Sequence, residues 1–436
     1  MKNKLLILAI VSFLAGCGYG LDNPEQTPPA KTATDFPATE AIVSMGTALQ
    51  VSTDTTTVVP TDTTTVVPTD TTTVVPTDTT TVVPTVITTD TPTWTSTNEP
   101  TQTATYIPTQ TSTPFVSPIA FSNIVALREE IPRIVWESAK NEVRSNYENS
   151  RSLVELKVLI GPSTTLYYNE NEDAFRNAIA FWEQFPQPPE YFAFLYNFED
   201  KPWAVSKFKE MPFYSKGMER SVDAPCQHIP QACTGANSGI FGANTGVGVT
   251  GIYPPDASDP YRFGPLQIHE YTHAVQAAPW IGAKDPNRGH QTMPSACWLG
   301  EGQAHFAGLA VGSDSLEEYL QLREMQVKGH PVEGFNDYSA DAILDFYSDT
   351  DCLPGKSPEY ALGYTIGYLT VEALSAIGGP TSSMGLNTRA ALYGVGEVKE
   401  KEFNQIFQHV YGISWNEAMP ILAKVVADTV ASLTYK

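Results

Sequence analysis

His269, Glu270 and His273 have the spacing of a hydrolytic site. Two histidines four residues apart fall on one face of an α-helix, close enough to hold one metal ion between them. Glu270 projects beside that face, where a carboxylate can take a proton from water activated by the ion. A catalytic zinc commonly takes three protein ligands and keeps a fourth position for water or substrate. A third ligand must therefore come from elsewhere in the chain.

The element that must carry the pair is a helix over 265–278. Pro265 suits a first helical position, and Pro279 cannot continue the helix. Leu266, His269, Glu270, His273 and Ala277 form one stripe, while Ile268, Tyr271, Thr272 and Val275 are free to face a core. Trp298-Leu299-Gly300-Glu301-Gly302 opens a second helical stretch downstream.

Together these two motifs resemble the gluzincin metallopeptidases, in particular aminopeptidase N-like enzymes and the small peptidase MA-like domains. The resemblance implies Glu301 as third zinc ligand, with Glu270 as the base that passes a proton to the leaving amine. It also implies an α+β, thermolysin-like catalytic domain with an α/β lobe followed by a helical lobe. A tyrosine of a Y-x-x-G motif then stabilises the oxyanion. Tyr360-Ala361-Leu362-Gly363 fits that motif, with Tyr364 one turn on as the alternative. Gly246-Val247-Gly248-Val249 reads as part of a Gly-rich strand. By the same resemblance it is the edge strand that pairs with the substrate main chain. Two departures stand out. The spacer between His273 and Glu301 is 27 residues (274 to 300), against about 18 in thermolysin-like members. The G-x-M-E-N motif that holds a free amine in the aminopeptidases is missing, which favours an endopeptidase over an aminopeptidase. His305 stands where thermolysin-like enzymes have an aspartate, either beside Glu301 or simply packed. His228, His290, His330 and His409 have no ligand spacing.

Around this domain the chain reads as that of an exported protein. Lys2 and Lys4 precede a short apolar run, Leu5 to Leu14, which is a secretory signal over 1–16 rather than a spanning helix. Leu14-Ala15-Gly16-Cys17 resembles a bacterial lipobox, which implies lipid on Cys17 and an extracytoplasmic place in the cell envelope. Residues 17–118 are a Thr/Pro-rich tether in which Thr-Asp-Thr-Thr-Thr-Val-Val-Pro occurs four times in tandem, at 53–60, 61–68, 69–76 and 77–84. Proline in every repeat and the absence of helical spacing argue for an extended, solvated arm. It would reach roughly 300 Å if fully polyproline-like.

The remainder, 119–436, suffices for one large domain: mixed strands and helices over 119–260, and helices over 261–436. A net charge of −22 argues against nucleic acid and against docking on anionic lipid through the body of the protein. Cys226, Cys233, Cys297 and Cys352 allow two disulfides with three connectivities, of which Cys226–Cys233 with Cys297–Cys352 is favoured. The expected protein is a lipid-anchored zinc peptidase acting on peptide or protein substrates. A non-catalytic surface binding protein that keeps the fold is the rival from another class.

Overall fold

In a computed structural model of the chain, the described residues are 117–166, 171–227, 231–253, 264–282, 296–329, 335–348, 361–393 and 398–434. The signal segment, the tether up to residue 116, Cys17, Cys352 and Tyr360 lie outside them, and so does the side chain of Cys297.

The fold is mixed α and β. The strands are β1 (Glu155–Ile160), β2 (Glu190–Tyr196), β3 (Ala236–Phe241) and β4 (Thr245–Gly251). The helices are α1 (Ile131–Ser150), α2 (Asn171–Phe181), α3 (Lys201–Lys209), α4 (Arg220–Asp223), α5 (Pro265–Ala277), α6 (Ala296–Gly312), α7 (Leu316–Gly329) and α8 (Ala340–Ser348). After a π-helical turn, Gly363–Gly367, come α9 (Tyr368–Gly378), α10 (Met384–Ala390), α11 (Glu400–Tyr411) and α12 (Trp415–Thr434). Every described strand precedes residue 252, and the described elements after it are helical. No helix among the described residues is long and apolar enough to cross a membrane.

The strands form one sheet in the order β1-β2-β4-β3, the first three parallel and β3 antiparallel to β4. β2 is apolar on both faces, as a covered parallel strand must be. Tyr191 and Ala193 enter the main core with Phe175, Ile179 and Tyr271. Phe192, Phe194 and Tyr196 turn the other way, toward Phe208, Val222, Val247 and Val249. The Cys226–Cys233 disulfide, the favoured pairing, belongs to this second cluster.

One expectation is corrected here. β4 is not an edge strand: β2 takes up one side of it and β3 the other, and all of it is buried. The main chain of Gly246, Val247, Gly248 and Val249 is thus committed to the sheet and has no free row of groups for a substrate. Its glycines serve packing instead. A Cβ on Gly246 would stand 2.6 Å from the Tyr191 ring, and one on Gly248 would stand 2.1 Å from the Tyr191 hydroxyl. The strand without a side chain here makes room for an aromatic ring lying across from β2.

α5 packs against α2, α6 and β3. All its residues are buried except His273, which is partly exposed. Trp182 Nε1 donates to Thr272 Oγ1 (3.0 Å), Tyr271 donates to Gln187 Oε1 (2.5 Å), and Gln267 Nε2 donates to Asn171 Oδ1 (2.8 Å). These bonds fix the rotation of α5 about its axis. α6 crosses it closely through small residues: a Cβ on Gly308 would lie 2.7 Å from the Pro265 carbonyl oxygen. Trp298, at the start of α6, stacks on Trp415 of α12 with ring centroids 4.8 Å apart. A helix held at both ends in this way has little freedom to move Glu301.

Candidate metal centre

Helix periodicity places His269 and His273 one above the other on α5, and the crossing of α6 brings Glu301 to them. His269 Nε2 and His273 Nε2 stand 3.1 Å apart. Glu301 Oε2 lies 3.4 Å from the first and 3.7 Å from the second. Among the described residues these three form the one group of His, Cys, Asp or Glu side chains whose ligand atoms converge, all within 4.8 Å of one another.

The donor set fits a zinc-type ion. Two imidazole nitrogens and a carboxylate oxygen are borderline ligands suited to zinc, and ligand atoms of one tetrahedral ion at about 2.0–2.2 Å stand about 3.3 Å apart. The three separations bracket that value. His273 is the most exposed of the three, its side chain 14% exposed against 3% for His269 and 6% for Glu301.

Electrostatics favour the ligating forms. Burial lowers the pKa of His269, with the Glu301 hydrogen bond opposing and the neighbouring His273 adding to the fall. The imidazole is thereby kept neutral, as a ligand must be. Glu270 is buried directly after His269. On β2 the Tyr191 phenol is raised by burial, lowered by its bond with Ser238 and raised again by the Glu270 charge. Tyr191 and Ser238 hydroxyls lie 3.1 Å apart.

Behind His269 stands a layer of rings. Tyr364, in the π-helical turn, lies parallel to the His269 imidazole, 6.0 Å between centroids and 7° between planes. His305 packs edge-on to both His269 (5.6 Å) and Tyr364 (5.7 Å), and Tyr368 closes on His305 at 5.8 Å. Of the two tyrosines weighed from the sequence, Tyr364 is thus placed beside the candidate ligands, while Tyr360 falls outside the described residues. The π-helical turn widens the helix by one residue per turn, and such bulges gather at functional sites.

Sequence reasoning missed the support behind His273. His273 Nδ1 and Gln276 Oε1 are 2.9 Å apart, and Gln276 Nε2 donates to Gly300 O (2.7 Å) and to Gln303 Oε1 (2.9 Å). Gln303 Nε2 donates in turn to Asn387 Oδ1 (3.0 Å). The signal was present in the chain: Gln276 is a polar residue three positions after His273 in an otherwise apolar run, Ala274-Val275-Gln276-Ala277.

The chain matches no protein-family model, no curated protein and no solved structure.

Proposed function

We propose that the chain is a zinc metallopeptidase of gluzincin type with a thermolysin-like catalytic domain, held at the cell surface by lipid on Cys17 and acting on peptides or proteins. The observation that carries the reading is the meeting of His269, His273 and Glu301 donor atoms within 4.8 Å, from two helices. The same three residues are the ones that the two motifs name. Bound there, zinc would supply a Lewis acid that polarises a carbonyl and makes water nucleophilic near neutral pH.

The rest falls to the chain's own groups. Glu270, next to His269 and screened from bulk water, holds the attacking water and takes its proton, then delivers it to the leaving amine. Tyr360 remains the motif's oxyanion donor, and Tyr364, whose ring stacks on His269, is the alternative among the described residues. Strand addition passes from β4 to β3, which packs against α5 and among the described residues pairs with β4 alone.

Glu270→Gln is the test. The variant should keep its zinc and lose hydrolysis by about 10²- to 10⁴-fold, measured on a peptide library with and without chelator. Hydrolysis that persists in the variant removes Glu270 as the base. Zinc content near zero in wild-type protein after metal-replete expression removes the peptidase reading and leaves the surface binding protein. Cleavage of N-terminally blocked peptides separates an endopeptidase from an aminopeptidase.

A further inference from the structure

Gln276 touches no candidate substrate position, yet its amide is fully engaged. Both of its hydrogens are given away, one to Gly300 O and one to Gln303 Oε1. The Gly300 carbonyl can only accept, so the NH2 end of Gln276 must face it and the amide cannot be turned over. Gln276, Gln303 and Asn387 are buried at 2%, 0% and 2% exposure, so water does not offer substitutes. The oxygen of Gln276 is the atom left facing His273, and an oxygen there only accepts. His273 Nδ1 must therefore carry the proton of the neutral ring, and Nε2 keeps a lone pair.

We propose that Gln276 is a positioning residue which fixes the His273 tautomer before any ion arrives. The proposal rests on the metal-centre reading above. It adds that the centre is preorganised through an amide relay running from α5 across α6 to α10. The bond from Gln276 to Gly300 also joins the carbonyl just before Glu301 to the helix of the two histidines. One side chain thus sets the proton on one ligand and the approach of another.

Two substitutions separate this role from plain packing. Gln276→Met has similar length and no acceptor oxygen. Gln276→Glu keeps an acceptor toward His273 but can no longer donate to Gly300 or Gln303. Both lose the structural bonds; only the first loses the tautomer control. In the full chain freed of metal, with 15N-labelled histidine, the wild type should show His273 protonated at Nδ1, the signal being assigned by its loss in His273→Asn. Gln276→Met should show a mixture of tautomers and bind zinc about 10- to 100-fold more weakly, read by competition with a chromophoric chelator. Gln276→Glu should keep the Nδ1–H form and stay within a few-fold of wild-type affinity.

Equal weakening in both variants would reduce Gln276 to a packing residue. A wild-type spectrum with His273 protonated at Nε2 overturns the proposal even where neither variant folds. Wild-type protein that shows the Nδ1–H form but takes up no zinc sinks the metal-centre reading instead, so the two failures are told apart.

Discussion

Gly302 of α6 and Gly367 of the π-helical turn touch backbone to backbone: a Cβ on Gly302 would stand 2.4 Å from the Gly367 carbonyl oxygen. The close approach continues one turn back along α6, where a Cβ on Gly367 would stand 2.5 Å from the Trp298 carbonyl oxygen. Glu301 and Tyr364 are each carried by one of these two segments, and no side chain fits between them.

Gly302→Ala should therefore destabilise by about 1–3 kcal/mol, the usual cost of overpacking against atoms that cannot swing aside. Gly300→Ala is the control. Nothing lies within 4 Å of a Cβ there, and alanine in a helix interior is worth about 0.5–1 kcal/mol over glycine. Chemical denaturation should move in opposite directions for the two variants. Equal shifts would mean that the crossing is looser than its geometry.

Gly248→Ala and Tyr191→Phe should couple. The added methyl meets the Tyr191 hydroxyl oxygen at 2.1 Å, and Phe removes that atom. In a double-mutant cycle the alanine should cost less in the Phe background, with an interaction energy of about 0.5–3 kcal/mol. Additive effects would show that Tyr191 does not fill the space left by the glycines.

Glu372 is buried at 2% exposure and receives Arg323 Nε at 2.8 Å, Arg323 Nη2 at 2.9 Å and the Tyr319 hydroxyl at 2.6 Å. Tyr368, which packs on His305, adds its hydroxyl at 3.3 Å. Removing one charge strands the other, so Glu372→Leu should cost about 3–5 kcal/mol. The double variant Arg323→Met, Glu372→Leu should recover much of that loss. Thermal unfolding of the three variants measures both effects.

Burial holds the Glu142 carboxyl above its ordinary range, and the hydrogen bond from Asn146 works against the rise. The folded chain then keeps a proton that the unfolded chain has released. Stability linked to this group is full below the unfolded pKa and is lost as pH rises through the folded one. Glu142→Gln retains an acceptor for Asn146 and carries no charge. Its melting temperature should exceed the wild-type value at pH 7 and match it near about pH 3. A variant no more stable at pH 7 would place Glu142 in water.

Much of this organisation is legible in the chain. Pro265 and Pro279 bracket α5 to within two residues of its end, because proline punctuates a helix by steric exclusion. At the start of α12, Ser414 and Glu417 form a capping box, with Ser414 N donating to Glu417 Oε2 at 2.8 Å and Glu417 N donating to Ser414 Oγ at 3.3 Å. β3 escapes because Ala236-Asn237-Ser238-Gly239 has no apolar alternation; its pairing comes from β4. The edge position of β4 is what the gluzincin resemblance implies, with its glycines a gap for a substrate backbone, whereas here that gap is filled by a ring from the same sheet. The burial of α5 on nearly all sides hides its amphipathic stripe, and with it the relay from Gln276.

The partners behind His273 are all amides, so none of them brings a formal charge to the ligand layer. Among the three donor side chains, Glu301 alone is an anion. A divalent cation seated on them would have its charge offset by Glu301 as ligand and by the buried Glu270 carboxylate next to His269. Replacing Glu270 by Gln would leave one positive charge uncompensated there, and small oxyanions in a buffer would then be drawn to the ligand layer.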